Sequence, residues 1–139
     1  MSVLVDTSVW SLALRRRRVV RGGETAELAD LVREGRASII GAIRQELLSG
    51  IASEPQVQSL REYLRPFSDL ELVVDDYEEA AAFFNRCRAK GVQGSNTDFL
   101  ICAVAARRQL AILTTDEDFK YFARVLPIQL HTPRRQSAG

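Results

Sequence analysis

The chain has 139 residues, 46% of them hydrophobic and 27% charged, with a formal net charge of +1. This is the size and balance of a single globular domain with a real core. The longest unbroken apolar run, Phe99 to Ala106, is far short of the ~20 residues that span a bilayer, and the two cysteines, Cys87 and Cys102, make no secreted disulfide framework.

Val3-Leu4-Val5 is a short apolar run with β-branched residues, as expected of a strand buried on both faces. Asp6-Thr7-Ser8 follows with helix-starting oxygens, and Val9 to Leu14 forms a short helix. The basic run Arg15 to Arg18 and the pair Gly22-Gly23 break it. A helix over about 24–34 ends at Gly35. Ser38 to Ile40 is a second strand, and Ala42 to Ser49 a helix closed by Gly50. Ser53, with Gln56 three residues on, has capping-box spacing for a helix ended by Pro66. Leu70 to Val74 is expected as a third strand. Asp76 and Glu79 cap the next helix, whose inner stripe would be Tyr77, Ala80, Ala81, Phe84 and Cys87. The helix over about 96–109 is apolar almost all round, so it should be central. Ala111 to Leu113 and Ile128 to Leu130 are the last strands, with a helix over about 117–126 between them.

Strands alternating with helices predict an α/β fold with a central, mostly parallel sheet of about five strands. Residues 1–131 form the domain, and 132–139 are expected to be a disordered tail. The amino terminus has no basic n-region, and Asp6 interrupts its apolar run. It does not read as a signal peptide, and the expected location is the cytoplasm.

Four acids fall where such a sheet would gather them. Asp6 ends the first strand, Glu46 lies in the helix after the second, Asp98 opens the central helix, and Asp116 follows Ala111 to Thr115. Ligands of open α/β sheets bind beyond the carboxyl ends of the strands. Singly, Asp6, Asp98 and Asp116 have a capping explanation, since Asp is a favoured N-cap residue and Ser95 stands three before Asp98. Glu46 is harder to explain so, because it sits beside the apolar side of its helix next to Leu47. Together the carboxylates would repel unless a cation lay between them. An all-oxygen set selects Mg²⁺ or Mn²⁺ over Zn²⁺. His131 has no companion ligand, and no Ser-His or Cys-His pairing supports a side-chain nucleophile. No phosphate-binding glycine loop occurs. What remains is metal-activated water aimed at a phosphodiester.

Four segments carry a resemblance: Val3-Leu4-Val5-Asp6-Thr7-Ser8-Val9-Trp10, Gln45-Glu46-Leu47-Leu48-Ser49-Gly50, Asn96-Thr97-Asp98-Phe99-Leu100-Ile101-Cys102-Ala103 and Leu113-Thr114-Thr115-Asp116-Glu117-Asp118-Phe119. In this order they resemble a PIN domain, and more closely the VapC toxins of toxin–antitoxin pairs. The resemblance implies a three-layer α/β/α fold and a Mg²⁺- or Mn²⁺-dependent endoribonuclease acting on tRNA or ribosomal RNA. It also implies a homodimer blocked by a VapB-type antitoxin. Asp6, Glu46, Asp98 and Asp116 match the acidic quartet. Asp6 and Asp98 would be the main metal ligands, Asp116 would complete the site, and Glu46 would position or deprotonate the water.

Asp118 is a weaker candidate, and Ser8 and Thr114 are left out of the site although both could orient metal-bound water. All but two of the 19 basic residues are Arg, the better fork for phosphate oxygens, although Arg-rich codon usage would give the same count. The run Arg15 to Arg18, with Arg21, could grip RNA phosphates or be a solvated loop. Another class of function stays open, a PIN-like module that binds protein or RNA without cutting. A phosphoryl-transfer receiver or phosphatase is disfavoured, since position 8 is Ser and neither Lys90 nor Lys120 ends a strand.

Overall fold

A computed structural model describes residues 1–15 and 23–134, with only the backbone at Arg15. The basic run Arg16 to Arg18 and Arg21 therefore lies outside the described residues, as do 135–139. Four strands form one sheet: β1 (Val3–Val5), β2 (Ala37–Ser38), β3 (Ala111–Leu113) and β4 (Gln129–Leu130). Their order is β2-β1-β3-β4 and every pairing is parallel. Helices α1 (Thr7–Arg15), α2 (Gly23–Arg33), α3 (Gly41–Leu48), α4 (Glu54–Leu64), α5 (Val74–Ala89), α6 (Asn96–Arg108) and α7 (Asp118–Val125) complete the α/β/α fold.

Parallel strands covered on both faces must be apolar throughout, and Val3, Leu4, Val5, Ile112 and Leu113 are all buried. From β1 the chain crosses to β2 on one side, then returns past β1 to β3 on the other. The strand order therefore reverses between β1 and β3, and the crevice at their carboxyl ends is the topological switch point. The Asp6 N–H donates to the Leu113 carbonyl at 2.9 Å, tying the two strand ends together. Helix α6 is buried from Phe99 to Ala105 as its composition predicts. Phe99, Phe119 and Phe122 pack ring on ring beneath it, with centroids 5.0 and 5.1 Å apart. Gly94 backs onto Phe122, where an added Cβ would stand 2.6 Å from the ring, so the loop leading to α6 lies hard against this cluster. Cys87 and Cys102 are free and buried, and burial pushes both thiols up.

Four expectations need correction. Leu70 to Val74 is not a strand: one bridge pairs Asp69 with Ile39, and α5 has begun by Val74. Among the described residues the sheet therefore has four strands rather than about five. Ser53 precedes α4 but makes no side-chain cap. The inner stripe of α5 is Asp76, Ala80, Phe83 and Cys87, whereas Tyr77 is 56% exposed.

Residues 131–134, the described part of the chain after β4, are tied to α2. Buried Glu27 of α2 receives the His131 ring at 2.5 Å and the Arg134 guanidinium at 3.1 Å, and Arg134 also reaches Glu34 at 2.9 Å. Burial alone would raise the Glu27 carboxyl, but its hydrogen bonds to His131 and Arg134 outweigh this and hold it below the usual range. Arg134→Ala would leave the buried Glu27 carboxylate with the His131 ring as its remaining side-chain partner. A fall of about 5 °C in Tm is expected by calorimetry.

Candidate active site

The site is built at the switch point from three chain segments. Asp6 follows β1 directly and is 4% exposed. A buried carboxylate needs donors, and two hydroxyls supply them. Ser8 donates to Asp6 Oδ2 at 2.7 Å, and Thr114, just past β3, donates to the same oxygen at 2.8 Å. The Ser8 hydroxyl in turn accepts the Thr115 N–H at 3.1 Å, and the Thr114 hydroxyl accepts the Asp116 N–H at 3.0 Å. One network therefore fixes the ends of β1 and β3 and sets Asp116 beside Asp6. Asp116 Oδ1 accepts the Asp118 N–H at 2.9 Å, a turn closed by its own side chain.

Asp98 enters from α6. The capping box expected from its spacing is present: the Asp98 N–H donates to Ser95 Oγ at 3.1 Å, and Ser95 N–H donates to Asp98 Oδ2 at 3.0 Å. Capping and a functional role are therefore not exclusive here. Burial pushes the Asp98 carboxyl above its usual range, its bonds to Ser95 partly oppose this, and the charges of Asp6 and Asp116 push it further up. The charges of Asp6 and Asp116 thus reach Asp98. Among the described residues, no ion pair involves any of them or Glu46.

Glu46 stands apart from the sequence expectation. The buried face of α3 is Ile43 and Leu47, while Glu46 itself is exposed, so the argument from a costly half-buried carboxylate does not apply. Its link to the site is Thr7, which follows Asp6 and donates to Glu46 Oε1 at 2.7 Å. Arg44 of α3 anchors that helix by bonding Asp69 at 3.0 Å and the Leu64 carbonyl at 3.0 Å. In the sequence Thr7 reads only as a helix-starting residue, and Ser8 and Thr114 are left out of the site. The signal was there, since hydroxyl residues flank the acids at both strand ends, in Asp6-Thr7-Ser8 and Thr114-Thr115-Asp116.

The donor set suits a hard divalent cation. Among the described residues, one oxygen of each carboxylate takes no hydrogen bond: Asp6 Oδ1, Asp98 Oδ1, Asp116 Oδ2 and Glu46 Oε2. The other oxygen of each is held by the protein, which aims the side chain. No three acidic, His or Cys side chains among the described residues already stand in metal-holding geometry, so the acids would have to draw together around an ion. Ser8→Ala or Thr114→Ala would release one of the two hydroxyls from Asp6. Each is expected to lower metal affinity about ten-fold, as outer-sphere partners do, checked by Mn²⁺ titration.

An α/β/α fold with acids from two strand ends and a helix amino terminus at its switch point has a known counterpart. The sequence model of the PIN domain family matches residues 3–125, and the chain belongs to that family. Among solved structures, the fold is similar to a chain of DNA-bound VapBC from Salmonella typhimurium, at 16% identity and TM-score 0.76, covering 94% of this chain and 97% of that one. It is similar also to VapBC2 from Rickettsia felis bound to a DNA fragment from its promoter, at 18% identity, TM-score 0.75 and 94% and 98% coverage. A third is VapBC-5 of Mycobacterium tuberculosis, a member of the VapBC family of toxin–antitoxin systems, at 21% identity, TM-score 0.68 and 93% and 96% coverage. No curated protein sequence matches the chain. No helix among the described residues is long and apolar enough to cross a membrane.

Proposed function

We propose that this chain is the VapC-type toxin of a toxin–antitoxin pair, a Mg²⁺- or Mn²⁺-dependent endoribonuclease working in the cytoplasm on tRNA or ribosomal RNA. The observation that supports the reading is that Asp6 and Asp116 follow two neighbouring parallel strands at one sheet end, joined through the Thr114 hydroxyl, with Asp98 feeling the charge of both, and that each keeps one oxygen free of hydrogen bonds among the described residues. These three would hold the ion. A bound divalent cation supplies Lewis-acid polarisation of a phosphoryl oxygen and makes water a better nucleophile at neutral pH.

The rest is work for the side chains. Ser8 and Thr114 keep Asp6 in one orientation, so the site does not spend binding energy ordering it. The Ser95 cap does the same for Asp98. Glu46, steadied through Oε1 by Thr7, accepts the proton of the attacking water on Oε2. The fold-level matches to VapBC structures support a VapB-type antitoxin as partner, and a homodimer is the working form that the family resemblance implies.

The second reading, a PIN-like module that binds without cutting, draws on the absence of a ready three-acid metal site among the described residues. Induced expression without an antitoxin separates the two. Growth should stop, with discrete new RNA ends mapped in the treated cells, and Glu46→Gln should grow normally. Growth and intact RNA with well-folded wild-type protein would favour the binding module.

A further inference from the structure

We infer that the exposed face of α5, with the groove it forms against α6, is the surface on which a second copy of this chain docks. The inference rests on the homodimer reading, which it deepens by naming the face, and not on the nuclease chemistry. The two helices form an antiparallel hairpin, since Arg107 and Arg108 at the end of α6 bond Asp76 at the start of α5. Beside them opens a cavity of about 440 Å³. Most of its wall is apolar, from Tyr77, Ala80, Ala81 and Phe84 of α5 and Leu100 of α6.

Burial accounts for one side of α5, where Asp76, Ala80, Phe83 and Cys87 turn to the core. Val73, Val74 and Tyr77 do the opposite, at 50%, 70% and 56% exposure, and they are three of the six exposed large hydrophobics among the described residues. Single apolar residues in water are ordinary, but three within one short stretch form a patch that a partner covers. Val74, Tyr77 and exposed Ala81 recur at helical spacing, so they make one row along the helix.

The charges of α5 point to a second copy as that partner. Its first half carries Asp75, Glu78 and Glu79, and its end and cap carry Arg86, Arg88 and Lys90. The helix dipole favours that order within one chain. Yet Glu78, Glu79, Arg88 and Lys90 make no ion pair among the described residues. Laid antiparallel, two copies of α5 set the acidic half of each against the basic half of the other, the self-complementarity of a two-fold contact. Ala81 lies near mid-helix, and with it at the two-fold the small side chain lets the helices approach closely. Tyr77 of one copy then comes level with Phe84 of the other, and its ring enters the second groove beside Leu100. A parallel pairing would oppose like charges, and a partner of one charge sign would match only half of the helix.

The test is size-exclusion chromatography with light scattering on the full-length protein over a dilution series. Wild type should read twice the 15.6 kDa of one chain, and Ala81→Arg should read the single-chain mass with an unchanged circular dichroism spectrum. Two further variants use the residues without ion pairs, so their changes spare the fold. Glu78→Arg/Glu79→Arg and Arg88→Glu/Lys90→Glu should each be monomeric alone, and an equal mixture of the two should recover the doubled mass. Wild type at the single-chain mass throughout overturns the proposal and leaves the groove to a different protein. A dimer that Ala81→Arg leaves intact overturns the face but keeps the homodimer, and a mixture that stays monomeric overturns the antiparallel pairing. The measurement needs no cleavage, so a monomeric wild type that cuts RNA removes the dimer alone. A dimer of the stated behaviour that cuts nothing removes the nuclease reading instead.

Discussion

Asp98→Asn is expected to abolish cleavage, on the order of 10²-fold or more, while leaving the protein at least as stable as the parent. The two effects have one cause. Asp98 is held among burial, Asp6 and Asp116, all of which disfavour its charge. A carboxyl raised on folding binds its proton more tightly in the native state, so folding is penalised as pH rises past the ordinary carboxylate value, and the penalty is complete above the raised one. Asn keeps the volume, and its carbonyl oxygen can still accept the Ser95 N–H, so the cap survives. It removes the repulsion and one ligand charge together. Calorimetry without metal should give an equal or higher Tm, and Mn²⁺ should then raise the Tm of wild type but not of the variant. A large fall in Tm would mean that Asp98 is a structural cap alone.

Asp76→Asn should do the reverse. Asp76 is wholly buried, its carboxylate receives Arg108 at 2.8 Å, Arg107 at 2.9 Å and the Val73 N–H at 2.8 Å, and the Arg108 bonds above all hold it at about 2. Removing the charge takes the main partner from both guanidinium groups, leaving Arg108 the Glu71 carbonyl and Arg107 the more distant Asp75, at a cost of about 3 kcal/mol and a fall of about 10 °C in Tm. Because this carboxyl is depressed in the folded state, its stabilisation is fully present above the ordinary carboxylate range. It is lost as pH falls from about 4 through about 2. The wild-type protein should therefore lose stability over that acid window more steeply than Asp76→Asn does. Asp76 meets the far end of α6, ~14 Å along the helix from Asp98, so the folded variant should still cleave.

These two aspartates also mark what was legible in the sequence. Asp98 reads as a cap three residues after Ser95 and is one. Asp76 reads as an N-cap with Glu79 three residues on, but it stands three residues after the actual N-cap, Val73, whose N–H it accepts. Only the chain end of α6, some thirty residues on, reveals that Asp76 faces inward onto Arg107 and Arg108. A sequence stripe built from apolar residues leaves a buried acid out, which is why Tyr77 was placed inside and Asp76 outside. Leu70 to Val74 has strand-like residues, but the Val73 N–H is taken by Asp76 and only Asp69 pairs with Ile39. Helix initiation wins over an edge strand there. Strands β1 and β3 were legible because a doubly covered strand must be an apolar run, and the acids after them follow directly from that register. The hydroxyl network on Asp6 was not, because Ser and Thr at strand ends are common and their direction is a tertiary fact. The Arg134 latch joins groups about a hundred residues apart, which no local pattern encodes.

Cleavage of RNA should depend on the carboxylates of the candidate site and on a divalent ion together. Purified protein should be incubated with total cellular RNA in Mg²⁺ or Mn²⁺, in excess EDTA, and beside Asp98→Asn. Discrete fragments that appear with the ion, vanish with EDTA and are missing from the variant are the expected result. Fragments that persist in EDTA, or that Asp98→Asn still produces at the parent's rate, would contradict it.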